Sequence, residues 1–269
     1  MTTTLKLLGD SRALTEYFDR RLSCLCDDKL GAIESGAQLM QALVNLHLLS
    51  ATFETCVLNL GHTLIVQPQF VQDDGVSPQL AASRSLEIYR LIVNGSQDKQ
   101  VCPTRGTLGR RQVARGFLRE VAAALGFSEQ TVTPTERAFE QAQRVEQILN
   151  PGRPMTEQEF FRALGFYLAW THYCWSQFQS LDKYLMGWWP IFTAELKVRP
   201  VKTFYGNVNA FTWIGDSIEH GEQNFLAAAK ASLLVLDYYA GTTDVDTLGF
   251  WLVDGINAFD SVEDAFPYA

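Results

Sequence analysis

The sequence predicts an all-α fold, and three observations carry that prediction. Apolar residues recur at spacings of three and four through most of the 269-residue chain. Capping signals open several of these runs: Ser77-Pro78, Thr133-Pro134-Thr135-Glu136 and Thr156-Glu157-Gln158-Glu159. Strand alternation is weak throughout, with no convincing hairpin turn. About seven to eight helices in one domain, 1–269, are expected from this pattern. The sharpest break is Asn150-Pro151-Gly152-Arg153-Pro154. It reads as an interhelical loop, with a domain boundary near 150–155 as the alternative.

In chain order, Ser11 to Asp28 forms the first amphipathic helix, with Leu14, Phe18, Leu22 and Leu25 on one side and Ser11 as its cap. Gly31 and Gly36 end that pattern. Gln38 to Val66 is a long core helix in which Leu39, Leu43, Leu46, Phe53, Val57, Leu60 and Leu64 step by three and four. Glu54, Asn59 and His62 are embedded in it, and His47 lies on a more polar flank. Pro68 to Pro78 is a loop turning at Asp73-Asp74-Gly75, followed by a helix to about Val93.

Asn94 to Thr107 is polar loop, Leu108 to Leu125 is helix, and Thr135 to Leu149 is the helix that the Thr133 box launches. Phe160 to Leu185 is the most aromatic helix, apolar on several sides, with His172 inside it. Gly187-Trp188-Trp189-Pro190 ends it. Thr243 to Ala265 is the last helix, with Leu248, Leu252, Ile256 and Phe259 facing inward.

The stretch from Phe204 to Gly241 is where chemistry is sought. Phe211, Ile214, Ile218, Phe225 and Val235 form an apolar stripe, with Gly221 and Ala228 at close approaches, so one long helix is expected, started or bent at Gly206 or Gly215. Asp216 and His220 are four apart and share a face, with Glu219 beside them. A carboxylate one turn before an imidazole orients it, raises its pKa or shares a metal with it. Trp213, Ser217, His220 and Asn224 form the next row. The alternative is a solvated acidic face with His220 hydrogen-bonded at the core edge.

Composition bounds the function. Hydrophobic residues at 47% and aromatics at 12% exclude a disordered chain. A net charge of −8 disfavours nucleic acid and anionic membrane surfaces as partners. The local exception is Arg105, Arg110, Arg111, Arg115 and Arg119; Arg111, Arg115 and Arg119 share one helix face, read as solvated. Five irregularly spaced cysteines, Cys24, Cys26, Cys56, Cys102 and Cys174, give no zinc pattern and point to a reducing cytoplasm. No signal peptide and no membrane span are expected. Nucleotide-binding, serine-hydrolase and zincin motifs are absent, as are paired E-x-x-H motifs.

Three segments, RGFLREVAAALGFSEQ (Arg115 to Gln130), EFFRALGFYLAWTH (Glu159 to His172) and DSIEHG (Asp216 to Gly221), resemble the haem-oxygenase-like superfamily of thiaminase-type proteins and diiron oxidases. The resemblance implies a haem-oxygenase-like bundle more strongly than it implies iron. Diiron members carry His-x-x-x-Asp-x-x-His on a late helix; aligned on His220, this chain has Trp213 and Ser217 at the other two places. The expected protein is an enzyme modifying a small, partly apolar metabolite between helices, first of all oxidatively, with a non-catalytic binding or scaffold protein as the alternative. Its site would hold His172, Asp216, Glu219 and His220 as catalytic groups. Trp170, Trp175, Trp213 and Ser217 would shape the pocket. His172, Asp216 and His220 would be the ligands of any iron, and a homodimer is compatible with this reading.

Overall fold

The computed structural model describes residues 6, 8–67, 70–71, 75–94, 107–128, 132–204, 206–239 and 241–263, without the side chains of 21–29, 94, 107–109 and 261–263. Among these residues the chain is all-α, with ten helices and one small sheet. The helices are α1 (Ser11–Gly31), α2 (Gly36–Val66), α3 (Pro78–Asn94), α4 (Thr107–Ala124), α5 (Glu136–Leu149), α6 (Glu157–Trp188), α7 (Pro190–Leu196), α8 (Thr212–Glu219), α9 (Gly221–Tyr238) and α10 (Val245–Glu263). Strands β1 (Pro200–Thr203) and β2 (Gly206–Asn209) pair antiparallel, Val201 opposite Val208.

α6 is the axis of the bundle. Thr156 accepts from the Glu159 backbone N–H while Glu159 accepts from the Thr156 backbone N–H, so both reciprocal bonds of the capping box are made. From Phe160 to Tyr173 the helix is buried almost all round, and α1, α8, α9 and α10 pack on it. Its closest neighbour is α10. A Cβ on Gly165 would overlap the Leu252 carbonyl, and one on Gly255 would overlap the Arg162 carbonyl. Only glycine at both places lets the two backbones meet. Arg162 and Asp254 add an ion pair at 3.0 Å along the same contact.

α2 is the second long core helix. It is capped by Ser35, whose side chain accepts from the Gln38 N–H, and it packs against α3, α4, α5 and α6. Among the described residues it is the one helix long and apolar enough to cross a membrane, against the expectation that no segment would be. Here its faces are shared between protein contacts and polar residues such as Asn45 and Glu54. At its C-terminus Gln67 Nε2 donates to the Met155 carbonyl at 2.9 Å and the Met155 N–H donates to Gln67 Oε1 at 3.0 Å. That two-way bond fixes the turn leading into α6 and ties the 150–155 loop to the first half of the chain.

Several boundaries differ from the sequence reading. The α1 cap is Asp10, not Ser11: its Oδ1 accepts from the Arg12 and Ala13 N–H groups at 3.1 Å. α5 is capped by Thr135, two residues after the expected Thr133, because Asn45 Oδ1 accepts from the Thr135 N–H and holds that turn against α2. Leu22, Leu25, Cys24, Cys26, Cys102, Asp73, Asp74 and Arg105 lie outside the described residues or side chains.

The stretch after Phe204 is not one helix. Gly206 is not the start of a helix but, at φ 132°, a residue of the hairpin between β1 and β2, and the helical part is broken at His220 rather than at Gly215. The hairpin leaves little signal in the sequence because its strands have four residues each and show no clean alternation. It docks through Val201 onto Gly116 of α4, where a Cβ would overlap the valine side chain.

Candidate functional site

The cavity that gathers the polar chemistry has a volume of about 110 Å3 and lies between α2, α4, α6, α8 and α9. Helical spacing explains how each helix reaches it. On α2, Ser50, Phe53 and Glu54 are three and four apart and share one face. On α6, Trp170, Thr171, Cys174, Trp175 and Phe178 follow the same rhythm. α4 contributes Arg110 and Val113.

The break between α8 and α9 builds the last wall. His220, at φ −102° and ψ −3°, ends one helix and begins the next. The redirected chain lets Asp216 and Ser217 of α8 and Asn224 of α9 line the same space. Gly221 makes this turn fit, since a Cβ there would run into the Trp175 ring.

The walls are aromatic. Phe53 stacks on Trp170 with ring centres 4.5 Å apart, and Phe178 meets Trp213 edge-on at 5.3 Å. Among the described residues the Oγ of Ser50, the Oε2 of Glu54 and the Oδ1 of Asn224, all on residues that line the cavity, are buried without a hydrogen-bond partner. Buried polar atoms are normally satisfied, so three orphans on residues that line one cavity single this region out. Burial pushes the Glu54 carboxyl above its usual range, with Arg110 and Arg111 pulling the other way. Arg110 Nη1 stands 3.9 Å from Glu54 Oε1, and Oε2 has no hydrogen-bond partner among the described residues.

Of the residues singled out in the sequence, Asp216, Trp170, Trp175, Trp213 and Ser217 line this cavity. His172, His220 and Glu219 do not. His172 is fully buried and turned toward α1, where its Nε2 lies 3.1 Å from Asp19 Oδ1 and its ring stacks on Phe18 at 5.3 Å. Phe225 closes on the same imidazole edge-on at 4.9 Å. Burial holds the His172 pKa below its ordinary value, against the pull of Asp19. With Nδ1 unpartnered among the described residues, the neutral ring that donates from Nε2 is the form that fits. Glu219 is exposed, and His220 serves as the joint between α8 and α9.

The iron implied by the resemblance does not find its ligands here. Among the described residues no three of His, Cys, Asp and Glu come together as a metal-binding group. His172, Asp216 and His220 are therefore not assembled into one: the first faces α1, the second the cavity, and the third ends a helix.

Among the lining residues that the sequence does not assign to the site are Ser50, Glu54, Arg110 and Asn224. A signal for Glu54 was present, since it is the sole Asp, Glu, Lys or Arg in the 31-residue α2. The arginine row is expected to be solvated, and Arg115 and Arg119 are exposed. Arg111 instead turns inward, donating to the Ala51 carbonyl at 2.9 Å and to the Thr55 hydroxyl. Comparison with protein-family models, with curated protein sequences and with solved structures gives no match for this chain.

Proposed function

We propose that this protein is an enzyme acting on a small, partly apolar molecule held in the aromatic-walled cavity. One observation carries the proposal: three residues whose buried polar atoms have no partner among the described residues, Ser50 and Glu54 on α2 and Asn224 on α9, come from opposite halves of the chain and line one space. The aromatic rings would hold the apolar part of the substrate and exclude water. Glu54, whose proton affinity is raised by burial, would give or take a proton at Oε2. The resemblance to haem-oxygenase-like proteins makes oxidation the reaction class to test first, with the substrate rather than a chain-held iron as the point of attack.

The second reading is a non-catalytic binding or scaffold protein on the same bundle. Its support is a run of exposed apolar side chains on consecutive elements: Trp188 at 71%, Ile191 at 79%, Val198 at 78% and Phe204 at 77% exposure.

The experiment is a thermal-shift screen of a library of small metabolites, run on the wild type, Ser50→Leu and Trp213→Ala. Ligands that raise the melting temperature of the wild type and of neither variant are expected. They would then be tested for turnover with and without oxygen. Hits that stabilise all three proteins equally would move the site elsewhere, and bound but unchanged ligands would favour the second reading.

A further inference from the structure

We propose that the cavity takes a small primary amine in its protonated form, recognised by acceptor atoms and aromatic faces. The inference rests on the cavity being a small-molecule site and names the chemical class that site selects.

Most hydroxyl protons of the lining are spent within the chain. Three hydroxyls at the cavity already donate within the chain: Thr171 to the Leu168 carbonyl at 2.8 Å, Ser217 to the Trp213 carbonyl at 2.7 Å, and Thr212 to Asn209 Oδ1 at 3.0 Å. What they offer a guest is lone pairs. The orphaned Glu54 Oε2 and Asn224 Oδ1 are acceptors too. Asp216 adds a carboxylate. Among the described residues Arg110 is the one cation lining the cavity, and it lies beside Glu54 Oε1. Ser50 Oγ–H and the Arg110 guanidinium keep donors at the cavity, but acceptor groups on Thr171, Ser217, Thr212, Asn224, Glu54 and Asp216 outnumber them, and such a lining is complementary to a guest rich in N–H.

The walls point the same way. Ring faces carry negative potential and attract ammonium groups, most of all where water is excluded. Trp170, Trp175 and Trp213 are the strongest such rings on the cavity. The overall charge of −8 favours cation approach over anion approach. Size sets the guest: an apolar cavity of roughly 150 Å3 accommodates benzene. The 110 Å3 here therefore suits an aminated fragment of about five non-hydrogen atoms.

The test is isothermal titration of isobutylamine, isobutanol and isobutyrate, three probes of one shape and different polar ends, at neutral pH. They are titrated into wild type, Asp216→Asn, Glu54→Gln and Trp213→Ala, with circular dichroism confirming the fold of each. The amine is expected to bind at least about tenfold more tightly than the alcohol or the carboxylate, and each carboxylate variant to weaken it about tenfold. Should the alcohol or the carboxylate bind as well as the amine, or should neither carboxylate variant matter, the amine inference fails. If binding is nevertheless lost in Trp213→Ala, the cavity remains the site. If no probe binds any of the proteins, the inference is overturned, and the thermal-shift screen decides separately whether the cavity is a site at all.

Discussion

Gly165 of α6 and Gly255 of α10 each stand where a side chain would collide with the main chain of the other helix, at Leu252 and Arg162 respectively. The obstruction is backbone, which cannot rotate away as a side chain can. Gly165→Ala and Gly255→Ala are each expected to destabilise by about 2–4 kcal/mol, since relief requires the helices to separate. Gly187→Ala, where nothing lies within contact of an added Cβ, is the control and is expected to be neutral or slightly stabilising. Urea denaturation midpoints measure both.

Glu54 sets stability against binding. Burial outweighs the two arginines in shifting its carboxyl upward, so its charge costs folding energy at neutral pH. Glu54→Gln is expected to stabilise by about 1 kcal/mol while weakening the guest. The sign with pH follows. A carboxyl with a raised folded pKa is most favourable to folding below its ordinary value of 4.5, and that advantage is lost as pH rises through the folded value. Melting curves of wild type and Glu54→Gln should therefore converge on acidification, and a constant gap would refute the assignment.

His47 works in the opposite sense. Burial, then Arg115 and Arg111, lower its pKa from 6.5 to about 4. The unfolded chain binds the proton first, so stability is full above about 6.5 and is lost as pH falls toward 4. Its ring meets Trp213 edge-on at 6.2 Å, which makes the cavity wall part of the same titration. His47→Gln is expected to flatten the acid limb of stability by up to about 3 kcal/mol. An unchanged acid limb would show that another group carries it.

His172 is expected to matter for docking α1, not for the cavity. His172→Phe keeps a planar ring in the box formed by Phe18, Trp175 and Phe225 but gives up the bond to Asp19. Ligand affinity should change less than about threefold, while hydrogen exchange in α1 should quicken. A large loss of affinity without faster exchange in α1 would return His172 to the site.

The helical class and most helix faces were legible because burial on one face leaves a three-and-four rhythm. Thr156–Glu159 is a case where a local signal and the folded cap agree. What was not legible had non-local causes. Thr135 rather than Thr133 caps α5 because Asn45, ninety residues away, accepts from the Thr135 N–H. In the site, the tryptophans and Asp216 stood out as residue types, but Glu54 and Ser50 read as part of a core helix. Which face of α6 carried the pocket was equally hidden. His172 and Trp175 are one turn apart, yet the first is turned to α1 while the second lines the cavity.

The two-way bond between Gln67 and Met155 reaches across the loop that divides the chain in sequence. α2 and α5 on one side, and α6 on the other, bury their apolar faces together. A cut at Gly152, which is exposed at φ 71°, would therefore sever a covalent link without removing a reason for the pieces to stay together. The nicked protein is expected to run as one species on gel filtration and to part only in denaturant. Each fragment is then expected to act as the template on which the other completes its fold.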